Sequence, residues 1–178
     1  MKILALEPYH GGSHRAFLEG WSERSAHDWT ILGLPPYKWK WRMRHSAIHF
    51  AGEIERSFLG ENRPDLLFCS DMLNLAELVG LLPRSLAAVP KVVYFHENQL
   101  TYPVQFEDER DYQFAMTNLT TALAADEVWF NSRFHLESFL DALDRFLRKM
   151  PDHPPLERVA EIEGKAKVHP PGVEPFPA

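Results

Sequence analysis

Short apolar runs alternate along this chain with longer stretches in which apolar residues recur at helical spacing. Continuous apolar runs are typical of strands that are covered on both faces of a sheet. Six strands are predicted in this way, at 2–6, 29–34, 66–69, 91–95, 127–130 and 166–169.

Helical spacing marks the segments between these strands, because their apolar residues fall on one face of a 3.6-residue period. Four helices are predicted, at 47–58, 74–82, 112–123 and 136–150. Asn74 and Ser132 stand where an N-cap residue is expected for two of them. Alternation of strands and helices predicts an α/β fold, a Rossmann-like parallel sheet sandwiched by helices.

The composition indicates a globular protein and excludes several kinds of site. The 178 residues are 45% hydrophobic and 25% charged, which indicates one globular domain, two at most. The single cysteine, Cys69, excludes an intramolecular disulfide and a Cys-rich zinc site, and it is expected in the core. Neither a membrane span nor a secretory signal is predicted, so the expected compartment is the cytoplasm. A net charge of −6 means that a nucleic-acid partner would need a local basic patch.

Ligands of open parallel sheets bind at the carboxyl ends of the strands, so the residues after each apolar run are the candidates. Gly11-Gly12-Ser13-His14 opens a helix directly after the first strand. Two glycines let the backbone approach a ligand closely, and a helix N-terminus offers N–H groups to an anion. The third glycine of the dinucleotide fingerprint is missing. The alternative is a tight turn with Ser13 as the N-cap.

A second candidate, His96-Glu97-Asn98-Gln99, follows the fourth strand. His96 at a strand end can hold a sugar hydroxyl or support a developing charge, and Glu97 can orient it or accept a proton. No second histidine follows at helical spacing, so the pattern is not a zinc motif. The alternative is a structural histidine. Asp71, after the third strand, could be a ligand together with Asn74 or part of a helix cap.

The third candidate is a basic and aromatic segment after the second strand. Four cations alternate with three aromatic residues and a methionine: Tyr37, Lys38, Trp39, Lys40, Trp41, Arg42, Met43 and Arg44. An extended backbone would give this segment one cationic and one aromatic face. Such a surface could hold RNA or a diphosphate, since cations neutralise phosphates and Trp rings stack on bases. The alternative is an edge segment that packs its rings and solvates its charges.

Several strings resemble one family closely. EPYHGGSH, KWKWRMR, SDMLNLAE, FHENQLTYP and LAADEVWFNSRFH are similar to segments of the tRNA-queuosine α-mannosyltransferases. More broadly, the chain resembles the N-terminal half of a GT-B glycosyltransferase of the retaining family-4 type. The resemblance implies transfer of mannose from GDP-mannose to the cyclopentenediol of queuosine in tRNA.

Roles for individual residues follow from this resemblance. The implied catalytic residues are His96 and Glu97. The implied donor-binding residues are Gly11, Gly12, Ser13 and His14. The implied acceptor-binding residues are Lys38, Trp39, Lys40, Trp41, Arg42, Arg44, Asp71, Asn98 and Gln99. No metal and no cofactor beyond the nucleotide-sugar donor is expected, and the chain has no DxD-type metal motif.

The same resemblance implies a division into domains. Residues 1–168 would form the acceptor-side domain, and the Pro-Pro-Gly within 169–178 would begin a linker to a second domain that binds the nucleotide sugar and lies outside this chain. The isolated domain is expected to be inactive. Two other functions stay open: a non-catalytic Rossmann-like module that binds RNA, and, more weakly supported, a phosphosugar epimerase.

Overall fold

The computed structural model describes residues 1–103 and 111–172, and it contains a parallel sheet of six strands. The strands are β1 (Lys2–Glu7), β2 (Asp28–Gly33), β3 (Leu66–Ser70), β4 (Lys91–Phe95), β5 (Glu127–Phe130) and β6 (Ala166–Val168). They pair in the order β2-β1-β3-β4-β5-β6, and every neighbouring pair is parallel. The predicted α/β fold with a Rossmann-like sheet is thereby confirmed.

Seven helices flank the sheet in the described part of the chain. They are α1 (Gly12–Arg24), α2 (Trp39–Ser57), α3 (Leu75–Leu81), α4 (Arg84–Ala87), α5 (Tyr112–Ala124), α6 (Arg133–Leu147) and α7 (Glu157–Gly164), and a 3-10 turn spans Gly60–Asn62. Two predicted N-caps are confirmed: Asn74 accepts a hydrogen bond from the N–H of Glu77, and Ser132 accepts one from His135. None of these helices is long and apolar enough to cross a bilayer.

Alternate residues of the same strand enter two different cores, because successive side chains point to opposite faces. In β1, Leu4 and Leu6 belong to the larger core, whereas Ile3 and Ala5 belong to a smaller one on the other face. Cys69 is buried in the larger core, as predicted. Helix α1 covers the smaller core with aromatic rings, and α2, α3, α5, α6 and α7 contribute to the larger one.

Two interpretations left open by the sequence are excluded by the structure: the cap at Ser13 and the extended backbone from Trp39 onward. Ser13 is not an N-cap, because α1 begins at Gly12 and Gly11 occupies the cap position without a side-chain bond. The segment from Trp39 onward is not extended, because α2 begins there rather than at Ala47. Met43 is almost fully buried and clusters with Met72 and Phe114. Tertiary packing therefore favours a helix here, although the alternation of basic and apolar residues indicates a strand.

The order of the strands positions the site. The chain leaves β1 for the edge strand β2 and then returns to the opposite side of β1 to form β3. Connections at such a switch point diverge and leave a crevice beyond the carboxyl ends of the two strands, here β1 and β3. Of the predicted linker, residues 169–172 have no regular structure and residues 173–178 lie outside the described residues.

Candidate active site

Glu7, the last residue of β1, is a buried carboxylate at the switch point of the sheet. Its Oε1 accepts hydrogen bonds from the backbone N–H of Tyr9 at 2.8 Å and from Ser70 Oγ at 3.0 Å. Its Oε2 lies 3.1 Å from Nδ1 of His14, in the first turn of α1. Burying a carboxylate is costly unless it is paired and hydrogen-bonded, and Glu7 meets both conditions.

His14 carries the positive charge of this pair. Burial alone would lower the pKa of His14, but the hydrogen bond and negative charge of Glu7, with the charges of Asp71 and Glu97, raise it to about 9. At neutral pH the imidazole is therefore protonated, with its cation held at the N-terminus of α1.

His96 lies directly against His14 but stays neutral. The two ring centroids are 4.0 Å apart, and the rings of Phe17 and Tyr94 pack edge-on against His96. Burial and the neighbouring charge of His14 lower the pKa of His96 to about 3. The crevice therefore holds a charged and a neutral imidazole in contact, so the two rings cannot share one chemical role.

Asp71 fixes the backbone that carries His96. Its Oδ1 accepts a hydrogen bond of 2.9 Å from the N–H of His96, while its buried Oδ2 has no partner among residues 1–103 and 111–172. Burial raises the pKa of Asp71 to about 7, with a further contribution from the negative charge of Glu97. Burial also raises the pKa of Glu97. Both carboxyl groups therefore hold their protons more tightly than exposed ones do.

Two asparagines hold the loop after β4 in shape. Asn98 Oδ1 accepts hydrogen bonds from the N–H groups of Leu100 and Thr101 and from the Thr101 hydroxyl. Asn118, buried on α5, accepts from the N–H of Gln99 and donates to the carbonyl of Asp71. The loop is thus attached to both β3 and α5, so it is a rigid support for His96.

After β1, glycine is required at two consecutive positions for two different structural reasons. A Cβ at Gly11 would lie 2.4 Å from Cγ of Pro36, so this glycine is required by packing against the loop after β2. Gly12 has φ of +54° with open space around it, so it is required by the left-handed backbone at the start of α1. Since no side chain caps this helix, its first N–H groups are available to a ligand.

The basic segment forms the loop before α2 and its first turns. Lys38 and Lys40 are exposed, and Trp41 is 66% exposed. Trp39 instead packs on the ring of Phe114, with centroids 5.1 Å apart. The helix therefore sends one Trp inward and one outward, and the two opposite faces expected of an extended strand do not form.

The two arginines of this segment are partly engaged within the protein. Arg42 donates to the carbonyl of Pro35, and Arg44 forms an ion pair of 2.8 Å with Asp111 at the start of α5. Lys38 and Lys40 are therefore the more available of the four cations.

A cleft of about 500 Å³ adjoins His96, between the loop after β4 and helix α6. His135 faces this cleft from the first turn of α6 and is only 9% exposed, whereas the neighbouring Phe134 is 80% exposed. The remaining lining residues are His96, Glu97, Asn98, Thr101, Tyr102, Pro103, Asn131, Ser132, Ser138, Asp141 and Arg145. The structure thus brings the segment 96–98 together with α6, which was not predicted.

From the sequence, Glu7 and Ser70 stand among the strand-end candidates but receive no role, whereas Asn118 and His135 are missed as members of this site. One signal for Glu7 is that it is an acidic residue ending a continuous apolar run, where a charge needs a partner. Asn118 and His135 lie among helix residues whose pattern indicates only an apolar face. Their positions depend on contacts between elements far apart in sequence.

Three side chains of the site are close enough to hold a metal ion. One ligand atom each from Glu7, His14 and His96 lies within 4.8 Å of the other two. The Glu7–His14 hydrogen bond already satisfies two of these atoms without a metal. The expectation of a metal-independent enzyme stays a prediction.

Comparison with known proteins agrees with the resemblance seen in the motifs. A family model described as tRNA-queuosine alpha-mannosyltransferase N-terminal matches residues 2–173. A curated protein of Drosophila melanogaster, named tRNA-queuosine alpha-mannosyltransferase, is 45% identical over 178 residues. The match covers 98% of this chain and 46% of that protein, so the chain spans about half the length of its relative. This chain belongs to the family of tRNA-queuosine alpha-mannosyltransferase N-terminal domains.

Proposed function

We propose that this chain is the acceptor-side half of a retaining GT-B glycosyltransferase that moves mannose from GDP-mannose to the cyclopentenediol of queuosine in tRNA. The observation that carries the proposal is the buried arrangement of Glu7, His14 and His96 at the switch point of the sheet. Family membership supports the same activity. The enzyme would work in the cytoplasm on tRNA, without a metal or a cofactor. Residues 1–168 form its first domain, and 169–178 lead to a second.

The donor end of the site combines a helix N-terminus with the protonated ring of His14. In the reaction, the bond from the sugar C1 to the diphosphate breaks, and negative charge develops on the departing GDP. Gly11, Gly12 and Ser13 present the N-terminus of α1, whose dipole favours an anion. The charge that Glu7 maintains on His14 adds to this field. These features support donor binding by the segment 11–14.

His96 would lie beside the donor sugar and the attacking hydroxyl. Because the pKa of His96 is lowered to about 3, its ring acts at neutral pH as a neutral hydrogen-bonding group and not as an acid. A neutral imidazole can hold a sugar hydroxyl without repelling positive charge that develops at C1. Glu97, with its raised pKa, would orient the substrate or accept a proton nearby.

The acceptor would approach from the side of α2 and the loop after β4. Lys38, Lys40, Arg42 and Arg44 would contact phosphates of the tRNA, and exposed Trp41 offers a ring for stacking. Trp39 would support this surface from below through Phe114. Closer to the reaction, the polar residues Asp71, Asn98 and Gln99 would shape the pocket for the acceptor hydroxyl.

The first test replaces His96 by Ala in the full-length enzyme. Transfer to queuosine-containing tRNA should fall by roughly 10²- to 10⁴-fold, the usual effect of losing a group that acts at the reacting atoms. The matched control is His27→Ala, an exposed histidine at the opposite end of the sheet, just before β2.

Unchanged turnover in His96→Ala, with a folded protein, would rule out the role of His96. A wild-type enzyme that binds tRNA but never turns over GDP-mannose would favour the non-catalytic RNA-binding module. Conversion of the nucleotide sugar without any acceptor would favour an epimerase.

A further inference from the structure

Two residues that line the cleft beside α6 each carry a buried polar atom with no hydrogen-bond partner among residues 1–103 and 111–172. These atoms are Nδ2 of Asn98 and Nε2 of His135, on side chains that are 2% and 9% exposed. Because an unpaired polar atom in a protein interior costs about 1–3 kcal/mol, such a pair calls for a ligand.

The hydrogen bonds of the other amide atom of Asn98 identify the unpaired atom chemically. The amide oxygen Oδ1 accepts from two backbone N–H groups and one hydroxyl, of Leu100 and Thr101. Backbone N–H groups are donors only, so the atom that they contact must be the oxygen. The unpaired atom is therefore an NH₂ group, and it can only donate.

A similar argument fixes the His135 ring. Nδ2 of Asn131 donates to the carbonyl of His96 at 2.8 Å, which makes the other amide atom of Asn131 an acceptor. That acceptor oxygen lies 3.2 Å from Nδ1 of His135, so Nδ1 must carry the proton. Burial lowers the pKa of His135 to about 4, so the ring is neutral. Its Nε2 is therefore a bare lone pair that can only accept.

We propose that Asn98 and His135 form a binding site for a cyclic vicinal diol, in which one hydroxyl donates to His135 Nε2 and the other accepts from Asn98 Nδ2. A hydroxyl pair on adjacent carbons supplies one donor and one acceptor, and its small ring fits a cleft of about 500 Å³. This inference rests on the proposed function, where such diols occur in the cyclopentenediol of the acceptor and, in the donor, in the mannose and the ribose of GDP.

The surroundings of the pair favour the acceptor. Phe134 projects from α6 at the same cleft with 80% of its surface exposed, and an exposed ring is suited to stacking on a nucleobase. The predicted diphosphate site lies instead at the N-terminus of α1. We therefore assign the pair to the cyclopentenediol of the acceptor nucleoside.

Two substitutions test the pair, of which the second also removes the hydrogen bond from His135 Nδ1 to Asn131. Asn98→Asp keeps an oxygen for Leu100 and Thr101 but replaces the free donor by an acceptor. His135→Phe keeps a ring of similar shape but removes the lone pair. In the full-length enzyme, each should lower the preference for a queuosine over a guanosine anticodon stem-loop by about three- to tenfold. The stem-loop with guanosine should bind as before, and His27→Gln should change neither affinity.

The donor is distinguished by a second titration with GDP-mannose and GDP. If the variants lower the affinity for GDP-mannose, with or without an equal loss for GDP, and leave the queuosine preference intact, the diol belongs to the donor and the assignment is overturned. If neither preference changes in a folded His135→Phe protein, the site itself is overturned. Melting curves identify a variant that fails to fold, and the other variant then decides.

A third measurement does not depend on the enzyme's activity. In the 178-residue chain, the ¹⁵N signal of His135 should show protonated Nδ1 and bare Nε2 at pH 7. Adding cis-1,2-cyclopentanediol should shift the Nε2 signal, whereas cyclopentanol should shift it much less. If this response appears while the full-length enzyme transfers no mannose to queuosine-containing tRNA, the diol site stands and the proposed function fails. Absence of the response would count against the diol site even if transfer occurs.

Discussion

At the scale of single residues, the charge of His14 depends on one partner. Glu7 is buried, hydrogen-bonded to Tyr9 and Ser70, and in contact with the imidazole of His14. His96 is neutral because it is buried and lies against that cation. The opposite protonation states of the two histidines therefore originate in Glu7, which is hydrogen-bonded to His14.

Removing the negative charge of Glu7 should change the ring of His14 from protonated to neutral at pH 7. Glu7→Gln keeps the shape of the side chain, and its amide oxygen can still accept hydrogen bonds from Tyr9 and Ser70. Without the negative charge, burial becomes the main influence on the pKa of His14. The pKa of His14 should fall from about 9 to below its ordinary value of 6.5, so the ring loses its proton at pH 7. NMR titration of the histidine rings measures this directly.

The matched control is Glu19→Gln, which removes an exposed carboxylate of α1 that pairs with Arg15. This variant should leave the titration of His14 unchanged. A His14 pKa that stays near 9 in Glu7→Gln would contradict the account of this site.

At the scale of elements, the contact between the turn after β1 and the loop after β2 holds the start of α1 in place. In Gly11→Ala, a methyl group would meet Pro36 at 2.4 Å, and the clash should destabilise the fold by about 1–3 kcal/mol. Gly80→Ala is the control, because nothing lies within 4 Å there and Ala favours the helix α3 by about 0.5–1 kcal/mol. Denaturant unfolding compares them, and equal stability would contradict the packing argument.

The first turns of α2 should supply the electrostatic part of RNA binding. Neutralising Lys38 and Lys40 together should weaken tRNA binding and reduce the slope of log affinity against log salt by about 1–2, since each phosphate contact contributes about 0.7–0.9. Affinity for GDP-mannose should change much less. Measurements at several salt concentrations test this.

The control for this prediction neutralises Arg63 and Arg84, which are exposed and precede β3 and β4 at the opposite end of the sheet. An untouched salt slope in the lysine variant, together with a loss of donor binding, would assign the segment to the donor.

Much of the fold could be predicted from the sequence because its determinants are local. Apolar runs mark all six strands within about two residues of their observed ends, and the caps at Asn74 and Ser132 depend on residues three positions away. The start of α2 could not be predicted in this way. The alternation from Lys38 to Arg44 has the period of a strand, and the packing of Trp39 and Met43 overrides it.

Within the candidate site, only residues that directly follow a strand could be predicted from the sequence. His96, Glu97, Asn98 and Asp71 were found because they follow apolar runs. The link from Glu7 to Ser70 spans 63 positions, and that from Asn131 to His96 spans 35, so neither appears as a local pattern. The tautomer of His135 depends on such a link and could be read only from the folded chain.

At the scale of the whole molecule, the proposed function makes the described domain one half of a reaction site. Positioning two reactants together between domains can contribute many powers of ten in rate, and that contribution is lost when one side is missing. We therefore propose that residues 1–178 alone bind RNA through α2, bind GDP-mannose weakly and transfer no sugar. Calorimetry with GDP-mannose tests this division, and micromolar donor binding by this chain alone would contradict it.

The central claim is tested most directly by incubating the full-length enzyme with GDP-mannose and two tRNAs that differ only in carrying queuosine or guanosine at one position. Mass spectrometry of the digested nucleosides then measures sugar transfer. The account predicts that queuosine gains one hexose and that the guanosine tRNA gains none. Hexose on both tRNAs, or on neither while GDP-mannose is bound, would contradict the assignment of queuosine as the acceptor.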